Sequence, residues 1–231
     1  MKNIKDVCFI VQARLSSERL PRKMIKSFAN TNLIDIICKK INNSSIIPKD
    51  NFYFSAYDPE IIKIVKENNL QLFNRSEESA NAEGPMQVVM EYHKYLNYKY
   101  LVVISACCPL LKIKTIDSFV SSYLQSQYDG MFGVIEKKNY FWNKDYNMIT
   151  PWPPGLDILN TKFVEPTYEA AHCLYAGKMD TIKDGIWMST PPFTKNSPAL
   201  FIVPELEAFD IDYEWQFEFT EALYLKNYDL D

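Results

Sequence analysis

Glycine is scarce in this chain, with six in 231 residues, and none falls into a G-x-G-x-x-G or G-x-x-x-x-G-K-[ST] pattern. Both patterns use glycine to bring backbone amides onto a phosphate, so a dinucleotide-binding turn and a Walker loop are unsupported. Histidine is scarcer still, represented by His93 and His172 alone. Both lie in segments read as helical, His93 near a surface end and His172 towards a core, and neither has a serine or cysteine placed for a nucleophilic triad. The five cysteines are odd in number and lack C-x-x-C spacing. That excludes a disulfide framework, argues against zinc, and fits a reducing cytoplasm. No apolar run approaches the ~20 residues of a membrane span. The start, MKNIKDVCFIVQA, lacks a small-residue cleavage site and reads as a first strand rather than a signal peptide. An excess of positive charge is also missing. A net charge of -4 and a pI near 5.4 speak against a general nucleic-acid binder.

What is present is apolar sequence, 47% of the chain, which is enough for a substantial core in one domain spanning residues 1–231. Apolar runs over 7–13, 52–56, 70–73, 100–105 and 131–135 read as strands, the first buried on both faces. Helical spacing over 33–41, 59–68, 86–96 and 113–125 alternates with them, with Asn32 as a cap and Pro59 in a first turn. This alternation predicts βαβ units and a three-layer, mostly parallel α/β fold. Residues 74–84 form a polar loop. Residues 136–154 are aromatic and proline-rich with little periodicity, a β-arm or a lid. Beyond them the pattern predicts a helix over 165–175, a loop over 185–198, strands over 199–203 and 208–213, and a closing helix over 214–226. Trp215, Phe219, Ala222 and Leu223 would form its apolar face. No internal repeat is visible.

Positive charge concentrates against the acidic trend in one place, Gln12 to Lys26. Arg14, Arg19, Arg22, Lys23 and Lys26 stand there against Glu18 alone, with Ser16 and Ser17 adding hydroxyls. A cationic loop leaving a buried strand ahead of a helix suits a polyphosphate, although the same composition describes a solvated loop. Ligands in open α/β sheets bind beyond the carboxyl ends of strands. Two other segments lie at such ends: Ser105 to Leu110, and the stretch carrying Asp210 and Asp212. In an extended segment those two carboxylates share a face, with α-carbons about 6–7 Å apart, and suit Mg²⁺. Equally, Asp212 can cap the helix beginning at Glu214.

The segment Arg14-Leu15-Ser16-Ser17-Glu18-Arg19-Leu20-Pro21-Arg22-Lys23 resembles the signature R-x-x-S-x-R-x-P-x-K of sugar-acid cytidylyltransferases, and meets every fixed position. It is also similar to the looser R-x-G-S-K-x-x-x-x-K-N motif of the acylneuraminate branch, with Met24 in place of the asparagine. Asn74-Arg75 resembles the second loop of that family, Cys108-Pro109-Leu110 the turn after the central strand, and Phe209-Asp210-Ile211-Asp212 the late D-I-D metal motif. The four matches come in family order. The resemblance implies a Rossmann-like sheet of the nucleotide-diphospho-sugar transferase type, with an aromatic arm or lid insertion. It implies a nucleotide site of Gln12, Ala13, Arg14, Ser17, Lys23, Arg75, Ser105, Ala106 and Cys107. Arg14, Lys23 and Arg19 would act on the triphosphate of CTP, and Asp210 and Asp212 would hold Mg²⁺. It also implies a homodimer, with residues 136–198 serving the acceptor and the dimer contact.

Two departures bear on the acceptor. Ala106 stands where many relatives carry a carboxylate, and Gln216 where an acidic residue follows D-I-D. A sugar hydroxyl must lose a proton as it attacks, whereas an acceptor phosphate is already anionic. With no base in the central loop, a small anionic acceptor is expected. L-glutamine phosphate, as in the phosphoglutamine-type cytidylyltransferases of capsule biosynthesis, is the first expectation and a nonulosonic acid or Kdo the second. Lys137, Lys138 and Lys144 are placed to meet such an anion. A non-catalytic nucleotide-binding protein of the same fold, or use of another base, remains the alternative.

Overall fold

The computed structural model describes residues 1–189 and 198–227. Val7–Gln12 (β1) is buried along its length except at its last residue. Val7, Phe9 and Val11 enter one apolar layer, Cys8 and Ile10 the other, as the two-residue period of a strand requires. β1 pairs in parallel with Phe52–Ala56 (β2) and with Tyr100–Ile104 (β4), while Leu72–Asn74 (β3) extends the sheet beyond β2. Met131–Lys137 (β5), Thr167–Lys178 (β6) and Ala199–Ile202 (β7) complete seven strands in the order β3-β2-β1-β4-β6-β5-β7. Among the described residues only β6 runs antiparallel to its neighbours.

The helices are Leu33–Asn43 (α1), Pro59–Glu67 (α2), Glu77–Asn81 (α3), Met86–Val89 (α4), Ile113–Gln125 (α5) and Glu214–Asn227 (α6). α1, α2 and α5 bury Ile34, Ile37, Ile61, Val65, Ile116 and Phe119 against the Phe9 face of the sheet. The opposite face is covered more thinly by Tyr92, Met179, Ile182 and Trp187, with Met86 and Met90 of the α4 region packed on them. The three-layer α/β expectation therefore holds. Asn32 caps α1 as expected, its side chain accepting the Asp35 amide at 2.9 Å. β5 and β6 stay paired to Lys137 and Thr167, past the end of β7 at Ile202. They project as a two-stranded arm tipped by a small turn in which Trp142 bridges Met148.

Several local expectations need correction. The stretch read as a helix over 165–175 is β6; its Ala, Glu and Leu favour helix, but the slot between β4 and β5 buries Ala171, Cys173, Leu174 and Ala176, and tertiary pairing overrides propensity. His172, expected towards a core, is exposed where β6 kinks, with φ of 50°. The strand expected over 208–213 is irregular chain, although Ile211 is still buried between the partly exposed Asp210 and Asp212. The helix expected over 86–96 breaks at Met90 into α4 and a 3₁₀ turn over Glu91–Lys94. The polar loop over 74–84 contains α3, capped by the Ser76 hydroxyl on the Ser79 amide. In α6 the buried residues are Phe217 and Thr220, while Trp215 and Phe219 are exposed and meet Phe209 instead. The loop expected over 185–198 lies partly outside the described residues.

Gly177 in β6 marks a close backbone approach on the thin face, since a Cβ there would sit 2.5 Å from the Trp187 carbonyl oxygen. Gly177→Ala is expected to cost about 1–3 kcal/mol of stability by overpacking. The check is a lower urea midpoint at unchanged slope.

Candidate active site

β1 ends at Gln12, and the following loop is tied down on two sides. The Leu15 amide donates to the Asp58 carboxylate at 3.1 Å, and Arg22 pairs with Glu60 at 3.2 Å, both at the start of α2. Asp58 stands at the cap position of that helix, yet its side chain makes no capping bond there; it serves the loop. The Arg22 amide returns to the Leu15 carbonyl at 3.2 Å, with Arg22 in the left-handed region at φ 59°. On the other side α6 holds the loop. Lys26 bonds Glu214, the Ala29 amide donates to Glu221 at 2.7 Å, and Phe28 meets Phe217 edge-on at 5.2 Å.

This folding sends the cations to different partners. Arg14 turns to the α3 side and reaches the Ala80 carbonyl at 3.3 Å and Glu83 at 2.8 Å. Arg19 and Lys23 converge on Asp212, at 2.9 and 3.2 Å, and Lys23 also donates to the Ile211 carbonyl. Lys23 is only 7% exposed. Burial works against its ammonium, but Cys107, Asp210 and Asp212 around it outweigh that and hold its pKa above the ordinary lysine value. The capping role open to Asp212 falls to Gln216, whose side chain accepts the Asp212 and Tyr213 amides at 2.7 and 2.9 Å.

The turn after β4 positions the late carboxylates. The Ser105 hydroxyl accepts the Cys107 amide at 3.1 Å, and the Cys107 carbonyl accepts the Ile211 amide at 3.1 Å. Asp210 and Asp212 therefore flank a residue bonded to the central strand's exit. Burial raises the Asp210 pKa above the usual carboxylate range, with Lys23 pulling the other way, Asp212 adding to the rise, and His172 again lowering it. One Asp210 carboxylate oxygen is enclosed without a hydrogen-bond partner. An orphaned anionic oxygen beside a second carboxylate fits a hard cation. Among the described residues no cluster of three or more His, Cys, Asp or Glu side chains forms a metal cage. A bound Mg²⁺ would therefore take its other ligands from water and from phosphate, which is its habit.

Arg75 is almost wholly buried. It donates to the Ser79 hydroxyl at 3.3 Å and, with the Gln12 amide oxygen turned towards it, to Gln12 at 3.1 Å. A cavity of about 540 Å³ opens between these groups, within the range typical of small-ligand sites. Its floor is Gln12, Ala13 and Cys107; its cationic wall is Arg14, Ser17, Arg19 and Lys23, with Asp212 at the edge. Arg75, Ala80, Ala82, Glu83 and Val89 form the facing wall. Ser105, Ala106 and Asp210 are not among the lining residues, Ser105 and Asp210 being bonded or packed behind Cys107 and Asp212. The Ala80–Val89 wall was missed in the sequence because α3 was; the signal available was Ser76 three residues ahead of the Ser79 amide it caps. His172 also comes to this end of the sheet, its Nδ1 3.3 Å from the Tyr175 hydroxyl and its charge felt by Asp210.

Residues 8–162 match the family model described as cytidylyltransferase. A pseudaminic acid cytidylyltransferase of Campylobacter jejuni serotype O:23/36 is 24% identical, with 98% of this chain and 99% of that protein covered. The spore coat polysaccharide biosynthesis protein SpsF of Bacillus subtilis is 23% identical over 96% of this chain and 88% of its own. Among solved structures, a CMP:2-keto-3-deoxy-manno-octonic acid synthetase complexed with CTP superposes with a TM-score of 0.67 at 12% identity. The match covers 96% of this chain and 99% of that one, and shows a shared fold.

Asp212 occupies the place next to Arg19 and Lys23 that an anionic ligand would take. Asp212→Asn frees both cations, so in metal-free buffer the affinity for inorganic tripolyphosphate is expected to rise about three- to tenfold, following the loss of a competing charge. Isothermal titration with EDTA present reads this directly, and an unchanged or weaker affinity counts against the arrangement.

Proposed function

The chain belongs to the cytidylyltransferase family, is a CTP-dependent nucleotidyltransferase, and on that premise we propose that it transfers CMP to a small anionic acceptor and releases pyrophosphate. The observation that carries this reading is the convergence of Arg19 and Lys23 on Asp212 at the rim of the cavity beyond β1. In this reading CTP enters the cavity with its triphosphate along Arg14, Ser17, Arg19 and Lys23. Glu83 gives up Arg14 and Asp212 gives up its two cations as phosphate oxygens replace them. Asp210 and Asp212 would hold Mg²⁺, which when bound neutralises charge on the phosphate being attacked. The acceptor oxygen forms its bond to the α-phosphorus, the bond to the bridging oxygen breaks, and pyrophosphate leaves carrying that electron pair. Lys23 and Arg19 stabilise the charge that develops on it.

For the acceptor, the anomeric hydroxyl of a nonulosonic-type sugar acid becomes the first reading. Relatives covering nearly the whole chain carry that specificity in their name. The chemistry also has a candidate base, because His172 lies exposed beside Asp210 rather than in a core. His172 takes the hydroxyl proton, with the Tyr175 hydroxyl fixing its ring. L-glutamine phosphate is the second reading, favoured by the absence of a carboxylate at Ala106, since a phosphate acceptor needs no base. The arm exposes Trp142, Ile149, Trp152, Ile158 and Phe163. A second copy of the chain covers it in this proposal, giving a cytoplasmic homodimer that draws on the CTP pool. No described helix is long and apolar enough to cross a membrane.

Pyrophosphate release with CTP and Mg²⁺ tests the reading against a panel of pseudaminic acid, Kdo, a sugar phosphate and L-glutamine phosphate. Turnover is expected on a sugar acid, and His172→Ala should lower it there while leaving any turnover on L-glutamine phosphate unaffected. Lys23→Ala and Asp212→Ala are each expected to lower kcat at least about 100-fold, equivalent to ~2.7 kcal/mol. Near-normal release by either variant removes it from the assigned role.

A further inference from the structure

Lys40 is a lysine where the packing calls for an apolar residue. It lies on α1 between Ile36, Ile37 and Ile41, in the main core, and is 4% exposed. Its Nζ donates to the Pro109 carbonyl in the turn that follows β4. Burial draws the amine down to about 7, with Cys108 and Glu207 pulling the other way. A second buried charged residue grips the same turn from its far side. Glu207, 6% exposed, accepts the Lys112 amide at 3.1 Å. The turn is thus bracketed by the Lys40 amine from α1 and the Glu207 carboxylate from the chain that runs on to Asp210.

The bracket leads to the carboxylates in a short series of bonds. Lys40 holds Pro109. The preceding Cys107 carbonyl accepts the Ile211 amide at 3.1 Å, and Ile211 separates Asp210 from Asp212. The Ile211 carbonyl in turn takes Lys23. Neither Lys40 nor Glu207 lines the cavity, so neither touches a ligand there. A methionine at residue 40 would fill nearly the same volume, but it would leave the Pro109 carbonyl without its donor and Glu207 without the nearby amine, so a loss of stability accompanies any effect on the site. The two effects are separable, because only one of them depends on magnesium.

We infer that Lys40 is a positioning residue for CMP transfer: through Pro109 and the Cys107–Ile211 bond it sets where Asp210 and Asp212 stand. The inference rests on the proposed function, but the bracket can be read without turnover. In Lys40→Met the turn loses one of its two holds and the carboxylates lose their fixed spacing. Metal-free CTP binding changes less than its magnesium-dependent part, because Arg14, Arg19 and Lys23 stay in the wall, although Lys23 shares the Ile211 carbonyl with the bracket.

The test compares wild type, Lys40→Met and Lys40→Arg by thermal melting, by calorimetric CTP binding with and without Mg²⁺, and by pyrophosphate release. Lys40→Met is expected to melt below the wild-type temperature while staying folded at the assay temperature, with metal-free CTP affinity within about threefold of wild type. The gain in affinity that Mg²⁺ brings should fall at least fivefold, and kcat at least tenfold with KM for CTP little changed. Lys40→Arg, which keeps a donor for Pro109, should recover kcat to within about threefold. Wild-type magnesium coupling in Lys40→Met overturns the inference whether or not turnover is seen, and a kcat loss that only tracks the folded fraction does so too. If Lys40→Met fails to fold, Glu207→Met reads the same turn from its other side, and normal magnesium coupling there is equally fatal. A wild-type protein that binds CTP and Mg²⁺ but turns over no acceptor speaks against the proposed function, not against the bracket.

Discussion

Lys23 is the contact on which the site depends. Its ammonium, nearly removed from solvent, joins the loop after the first strand to the carbonyl of Ile211 and the carboxylate of Asp212, 189 residues further along the chain. A buried cation without partners would be expensive, and here it has a carbonyl, a carboxylate and a second nearby carboxylate. The satisfaction of that one group forces the late segment against the first loop. The rest of the ties follow the same seam: Arg19 to Asp212, Lys26 to Glu214, and the Ala29 amide to Glu221. The start of the domain and its closing helix are thereby held as a single wall of the cavity.

The same contact explains how an acidic chain could carry the phosphate site proposed above. The cations are not free; they are neutralised in place by Asp212 and Glu83, groups that a polyphosphate and a metal ion can replace. In the proposed function, binding would be an exchange of carboxylate for phosphate rather than the filling of a bare cationic pocket. Affinity gained this way is a difference between two sets of ion pairs, so it is modest, but discrimination improves: a ligand of lower charge density cannot displace Asp212. In the proposed function metal and nucleotide would favour each other, because Mg²⁺ would occupy the carboxylate that phosphates displace from the cations.

Where sequence reasoning succeeded, the physical signal was local. β1 is a continuous apolar run because both of its faces are covered, and the basic loop stood out because five cations follow it in a net acidic chain. Gln12, Ala13, Arg14, Ser17, Arg19, Lys23, Arg75, Cys107 and Asp212 do border one cavity. Where it failed, the signal was distant. Thr167–Lys178 carries helix-forming residues and becomes a strand only because β4 and β5 leave a slot for it. α3 is a five-residue helix, too short for periodicity to register. Trp215 and Phe219 satisfy a helical repeat, yet the buried face of α6 is set by Phe217 packing on Phe28. The misreading of β6 had the largest consequence, since it hid His172 from the acceptor side and made a base-free acceptor look preferable.

β6 also divides the labour of the fold. The strands before it, β1 to β4, are parallel and deliver loops to one end of the sheet, where Gln12, Asp58, Arg75 and Cys107 assemble the nucleotide half. β6 enters against that direction. Its kink at His172 lies opposite the register shift between Phe132 and Val134, at the end of the sheet where the strand enters, before β6 carries the chain away towards Tyr100. Phe132 stacks on Tyr175 at 5.1 Å beneath the kink, so the turn of backbone rests on packed aromatic surface. In the proposed function an acceptor approaches Asp210 from this side, where β5 and β6 supply residues that do not line the cavity beyond β1. A family that keeps one nucleotide while changing acceptors needs this separation. The resemblance signature is therefore concentrated in the first loop, and the acceptor must be read from the antiparallel strand.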